Sequence, residues 1–187
     1  MRRAFKISIR IFIWLVLTSY VSLAQIRKDT WAKKIPSNNL QNLYRVDDSL
    51  QRSEQPSEQA LQEVEQSGIK SVLNLRKSKE DVPPSGTHLV FMHVGMKAGT
   101  LSYNDLVAAL KAINKAPKPV LVHCKYGADR TGCVVAAYNI LNRHYSKEEA
   151  IEEMRSGGYN FHEKYYAGMF ALLNFLDVDQ LRKDVQK

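Results

Sequence analysis

With only two cysteines in 187 residues, Cys124 and Cys133, the chain has no disulfide scaffold. Its fold must rest on a packed core, and a hydrophobic content of 44% is enough to build one, in a single domain. There is no block of Lys and Arg, which argues against nucleic acid as a partner although the formal net charge is +8. Neither an internal repeat nor a low-complexity tract is present, which excludes repeat arrays. No stable membrane span is expected either: the apolar run Ile11 to Leu17 gives way to Thr18, Ser19 and Ser22 well short of the roughly 20 apolar residues that a spanning helix needs.

What stands at the amino end has the layout of an export signal. Arg2, Arg3, Lys6 and Arg10 precede the apolar run, and Ser22-Leu23-Ala24 offers small residues for cleavage. Residues 1–24 are therefore expected to be removed from a protein that is exported, periplasmic or secreted. Their loss takes away four basic and no acidic side chains, so the formal charge falls from +8 to +4, an ordinary value for solubility. Residues 25–42, with little periodicity, predict an extended arm, and 43–187 the domain proper.

Within that domain, short runs at Leu43 to Val46 and around Leu50 predict paired strands, and Ser57-Glu58 opens a helix with Ala60, Leu61 and Val64 on one face, stopped by Gly68. Ile69 to Leu75 and Leu89 to Val94 predict strands, separated by an exposed loop over Lys77 to Gly86. Ser102 and Asp105 cap a helix carrying Leu106, Leu110 and Ile113, and Val120-Leu121-Val122 fits a buried central strand. A mostly buried helix follows through Val134 and Leu141. Ser146 with Glu149 caps another that ends near Gly157-Gly158, and a last helix carries Tyr166, Met169, Phe170, Leu173 and Leu176. Strands alternating with helices in this way predict an α/β fold.

Chemistry concentrates between the central strand and the helix after it, in His123-Cys124-Lys125-Tyr126-Gly127-Ala128-Asp129-Arg130-Thr131-Gly132. Backbone N–H groups of such a loop converge on one point and bind an anion. With the positive end of the following helix, they favour the thiolate of Cys124, its nucleophilic form. Arg130 can turn back over the loop and offer two phosphoryl oxygens a planar fork of donors that Lys cannot copy. Gly127 is expected to relieve crowding around the oxyanion. Average composition produces all six matching residues in register on the order of once in 10⁵ sequences, which makes accident a poor explanation.

This segment resembles the signature of the protein tyrosine phosphatase superfamily: His-Cys, five residues, then Arg and Ser or Thr. The chain from about Leu43 to Leu176 is similar to the atypical dual-specificity phosphatases of plant and fungal type and their bacterial relatives, through Tyr44-Arg45, Arg52-Ser53-Glu54-Gln55-Pro56, Val72-Leu73-Asn74-Leu75-Arg76 and His93-Val94-Gly95-Met96. The resemblance implies a central mixed, mostly parallel sheet flanked by helices. It implies a phosphatase without metal or cofactor, acting on a phosphorylated protein or a small phosphoester. Cys124 would attack phosphorus and Arg130 hold the equatorial oxygens, with Lys125, Tyr126, Gly127, Ala128 and Asp129 completing the phosphate loop. Thr131 would bond the thiolate, and His123 support the loop from behind.

The general acid departs from the family pattern. An Asp is usual on a loop about thirty residues before the nucleophile, yet residues 95–104 contain no carboxylate. Asp105 is the nearest, at a helix-capping position, and Asp129 stands inside the loop, as in myotubularin-type phosphatases. Either would have to stand near the leaving oxygen and be protonated at working pH. Tyr126, Tyr159, Phe161 and His162 are candidates for an aromatic pocket floor, while Lys125 suits multiply phosphorylated ligands such as inositol polyphosphates or phosphoinositides. Two rival readings are a phosphate-binding module with weak turnover and a sulfur-transfer or arsenate-reducing enzyme. The second asks Cys133 to act as a resolving thiol instead of a buried helix residue.

Overall fold

A computed structural model describes residues 27–187; the expected export signal and its cleavage point lie outside them. The centre of the molecule is the apolar run the sequence offers for it. Val120–His123 is buried along its whole length as the strand β6, as a strand covered on both faces must be. It lies between β3 (Leu50–Ser53) and β4 (Ser71–Arg76), parallel to both, and β5 (Val90–Met96) extends the parallel part. β1 (Lys33–Lys34) and β2 (Tyr44–Arg45) add two antiparallel strands beyond β3, giving the order β1-β2-β3-β6-β4-β5. The sheet is mixed and mostly parallel.

The two-residue period of a strand divides the core into two layers. Val72 and Leu121 face the helix α1 (Glu58–Gln66), packing with its Ala60, Leu61 and Val64. Leu73, Leu75, Val120 and Val122 face the other way, onto α2 (Tyr103–Lys115), α3 (Asp129–Asn142) and α4 (Lys147–Ser156). α3 is buried almost all round, so it behaves as a core element rather than an amphipathic surface helix. Its amino end is thereby fixed against the carboxyl end of β6.

Two stretches differ from expectation. The single last helix is divided at Ala167-Gly168 into α5 (Glu163–Tyr166) and α6 (Gly168–Asn174), and Asp177 then caps a further helix, α7 (Val178–Gln186). α7 buries only Leu181 and Val185 among charged residues, too sparse a pattern to stand out in the sequence. The stretch expected as an arm supplies β1, and its Trp31 is buried. Among the described residues no helix is long and apolar enough to cross a membrane.

Candidate active site

Between His123 and Asp129 the backbone carbonyls are tied down one after another by groups outside the loop's concave face. Lys125 O accepts from the N–H of Gln55 at 3.3 Å, and Tyr126 O from the side-chain amide of Asn42 at 2.9 Å. Gly127 O accepts from the Arg52 guanidinium at 2.6 Å, and Ala128 O from the N–H of Gly132 at 2.8 Å. In a trans peptide the C=O and the following N–H point in opposite directions. Anchoring these four carbonyls therefore turns the N–H groups of Tyr126, Gly127, Ala128 and Asp129 to the opposite side. Those of Tyr126, Gly127 and Ala128 have no backbone partner among the described residues. The result is an anion nest at the positive end of α3, with Cys124 buried at its foot.

Gly127 is required by the protein's own backbone. Its φ is +66°, and a Cβ there would stand 2.5 Å from the carbonyl carbon and oxygen of Ser53. That crowding comes from the end of β3.

Arg130 reaches from the first turn of α3 toward the end of β5, where its guanidinium lies 3.5 Å from Met96 O. Its buried Nε has no hydrogen-bond partner among the described residues. Thr131 is fully buried and its hydroxyl also lacks a partner; the expected bond to Cys124 is not made, and the helix is not capped by this side chain. His123 is fully buried. Its Nε2 donates to Asp81 Oδ2 at 2.9 Å, and Nδ1 faces Cys124 O at 3.3 Å, a contact that is a hydrogen bond only when the ring carries both protons.

Asp81 was not anticipated. The charged, proline-containing segment around it reads as an exposed loop, yet its side chain is 3% exposed and also accepts from Gln55 Nε2 at 2.6 Å. Burial pushes its pKa up, but the hydrogen bonds from His123 and Gln55 and the charge of His123 outweigh burial and hold it below the usual carboxylate value. A loop poor in apolar residues does not reveal which of its carboxylates turns inward. The signal available in the sequence was His123, a buried ring that needs a partner.

The two candidate acids separate. Asp105 closes a capping box: its Oδ2 accepts from the N–H and hydroxyl of Ser102, both at 2.8 Å, and its own N–H donates back. No hydrogen bond joins it to the loop. Asp129, the first residue of α3 and nearly buried, accepts from the backbone N–H of His162 at 2.9 Å and meets its Nδ1 at 3.1 Å. Of the four aromatic candidates for the pocket floor, only His162 and Tyr126 reach the mouth, with ring centroids 6.0 Å apart. Tyr159 is core, its hydroxyl donating to Glu153, and Phe161 packs on Phe170.

Two hollows open beside the loop. One, of about 440 Å³, is lined by Arg76, Lys77, Ser78, Lys79, Lys125 and Arg130. The other, of about 820 Å³, runs from Tyr126 and His162 along Asn42, Gln41 and Lys34. Cys133 is buried within α3, and burial pushes its thiol up to about 12, which leaves it a poor resolving thiol at neutral pH.

A cysteine at the foot of an anion nest, between a central parallel strand and a buried helix, is the site of a cysteine-dependent phosphatase. Residues 50–172 match the family model of the dual specificity phosphatase catalytic domain, and the chain belongs to that family. It is 29% identical over 161 residues to the dual specificity protein phosphatase TpbA of Pseudomonas aeruginosa, covering 85% of this chain and 72% of that protein. The crystal structure of P. aeruginosa TpbA in complex with pTyr superposes with a TM-score of 0.75 at 27% identity, over 86% of this chain and 99% of that one. The catalytic core of the PP-IP phosphatase Siw14 from S. cerevisiae superposes with a TM-score of 0.65 at 26% identity, over 81% and 93%. The chain is thus a metal-independent phosphatase of the protein tyrosine and dual-specificity type.

Proposed function

We propose that Cys124 attacks the phosphorus of a phosphotyrosine-type monoester while the loop N–H groups and the Arg130 fork hold its three other oxygens. The S–P bond forms as the bond to the leaving oxygen breaks, and that oxygen takes a proton from the pair Asp129–His162. Water then attacks the cysteinyl phosphate, returning a proton to the pair and releasing Cys124 as thiolate. The observation that carries this reading is the row of anchored carbonyls, which presents N–H groups above Cys124 without help from a ligand. The exposed ring of Tyr126 at the mouth suits an aromatic phosphoester, and a relative is seen with pTyr bound.

The basic hollow favours a second reading, a multiply phosphorylated small molecule such as an inositol polyphosphate. Arg76, Lys77, Lys79 and Lys125 gather beside Arg130, and one structural relative is a PP-IP phosphatase. Nucleic acid is the weaker fit, since these charges form a small hollow rather than a long stripe. We propose further that residues 1–24 direct export; amino-terminal sequencing of the protein from fractionated cells, beginning at residue 25, is the expected result.

Burst and steady-state hydrolysis of p-nitrophenyl phosphate in EDTA tests the central claim. A burst abolished by Cys124→Ser is expected; tungstate binding without turnover in the parent would instead favour a phosphate-binding module. Competing a phosphotyrosine peptide against inositol hexakisphosphate then separates the two substrate readings.

A further inference from the structure

Arg52 is among the largest fully buried side chains, at 1% exposure, and the mechanism above draws on it only as one of the anchors of the loop carbonyls. It belongs to β3, where it pairs in register with Val122, two residues before Cys124, so its strand runs beneath the catalytic loop. The guanidinium lies 3.7 Å from the centre of the Tyr159 ring and donates to Gly127 O at 2.6 Å. Tyr159 is itself pinned, donating to Glu153 at 2.6 Å and accepting from Arg27 at 2.9 Å. Gly132 borders the guanidinium: a Cβ there would press on Met154 at 3.2 Å and only touch the Arg52 guanidinium, at 3.7 Å.

A buried cation is expensive unless something negative faces it. Among the described residues Arg52 makes no ion pair, and the oxygens of Glu153, a buried carboxylate whose charge acts on it, are taken by Tyr159, Ala32 and Asn139. What remains is the face of an aromatic ring, one carbonyl and the foot of the loop.

We propose that Arg52 is a positioning residue for the catalytic loop and the buried counter-charge of the Cys124 thiolate. It acts twice. By holding Gly127 O it fixes the peptide whose N–H, on Ala128, faces the anion. By its charge it favours the thiolate from below, where substrate never reaches, while Arg130 meets the phosphoryl group from above. Burial pushes the guanidinium's pKa down, and Tyr159, Glu153 and the Cys124 thiolate oppose that. Such coupling is mutual: whatever the thiolate does for Arg52, Arg52 does for the thiolate. This role rests on Cys124 being the nucleophile of the proposed reaction.

The test is the pH dependence of alkylation by iodoacetamide in the parent, Arg52→Gln and Arg52→Lys, with tungstate binding measured alongside. Glutamine keeps a donor for Gly127 O and removes the charge; lysine keeps the charge. The other charged or titratable groups around the loop and around Arg52 are the same in all three: Arg130, Asp129, His162, His123, Asp81, Lys125, Arg76, Lys77 and Lys79, with Glu153, Tyr159, Tyr44 and Arg27. Cys133 stays silent near neutral pH because its thiol is pushed up to about 12. Arg52→Gln is expected to move the alkylation midpoint up by about one pH unit, about a tenfold slower reaction below it, and Arg52→Lys to restore most of the shift. Should Arg52→Gln fail to fold, Tyr159→Leu, which frees the guanidinium from its clamp, is expected to move the midpoint the same way. A midpoint unmoved in the folded variant overturns the inference. Because alkylation needs no substrate, a parent without phosphatase activity whose midpoint still follows Arg52 defeats the proposed reaction alone.

Discussion

Nδ1 of His162 lies 3.1 Å from each carboxylate oxygen of Asp129, and the backbone N–H of the same histidine donates to Oδ1 at 2.9 Å. The carboxylate is nearly buried, while the imidazole side chain is 42% exposed at the mouth of the site. Asp129 directly precedes Arg130 in the chain, and the segment 95–104 offers no carboxylate of its own. Asp129→Asn is expected to lower kcat/KM for an alkyl phosphate by roughly 10²–10⁴ while sparing p-nitrophenyl phosphate, whose leaving group needs little protonation. His162→Gln should show the same selectivity, more weakly. Equal losses on both substrates would mean that the pair only holds the loop.

Asp105→Asn provides the contrast. Its carboxylate is committed to the capping box of α2, so the expected change is a loss of about 1 kcal/mol in urea unfolding with the leaving-group dependence of the parent retained. A selective loss on alkyl phosphates in this variant would transfer the acid role to it.

The Asp81–His123 contact predicts a pH effect with a definite direction. A carboxylate held below its ordinary value contributes stability that is complete above its unfolded pKa and is lost as pH falls through the folded one. Unfolding free energy should therefore drop toward acid pH in the parent. Asp81→Asn should flatten that slope and cost about 1–3 kcal/mol at neutral pH, since it weakens the partner of a buried ring. Urea titrations at neutral and acid pH, compared between the two proteins, decide this.

Why the sequence revealed some of this and not the rest follows from the range of each interaction. Cys124, Arg130 and the strand before them are contiguous, so their spacing and the apolar run Val120–Val122 announce both the loop and the centre of the sheet. Ser102–Asp105 and Ser146–Glu149 are local pairs, legible for the same reason. Asp81, Arg52 and His162 act on the loop across 42, 75 and 33 positions, through contacts that only the parallel sheet and the return of α4 bring about. No periodicity encodes such pairs. The aromatic floor was legible only in part, since Tyr126 and His162 reach the mouth and Tyr159 does not: Tyr159 is polar-tipped and apolar in body, and whether it lines a pocket or a core depends on Glu153 waiting beneath it.

Gly127→Ala tests the local geometry of the loop. The positive φ disfavours any side chain, and the added methyl meets the backbone of Ser53 and Glu54, which cannot swing aside as a side chain would. The expected result is a loss of about 1–3 kcal/mol together with a large fall in tungstate affinity, because relief of the clash displaces the carbonyl that Arg52 holds. Isothermal titration with tungstate and urea unfolding on the same preparation read both.

Cys133 supplies the last prediction, about oxidation. The residue is nine positions from Cys124 along the chain, on the inner side of a helix that is buried on nearly every face. For the two sulfurs to join, the first turns of α3 would have to unwind, and the attacking thiol would have to ionise where burial pushes it up to about 12. Peroxide should therefore add oxygen to Cys124 and leave Cys133 reduced. Cys133→Ala is expected to lose its activity to peroxide at the parent's rate and regain it equally with dithiothreitol, at about 1 kcal/mol of lost packing. Intact mass spectrometry separates the alternatives: gain of oxygen on one cysteine is the expected product, whereas loss of two hydrogens without added oxygen would show a Cys124–Cys133 bridge and return Cys133 to the role of a resolving thiol.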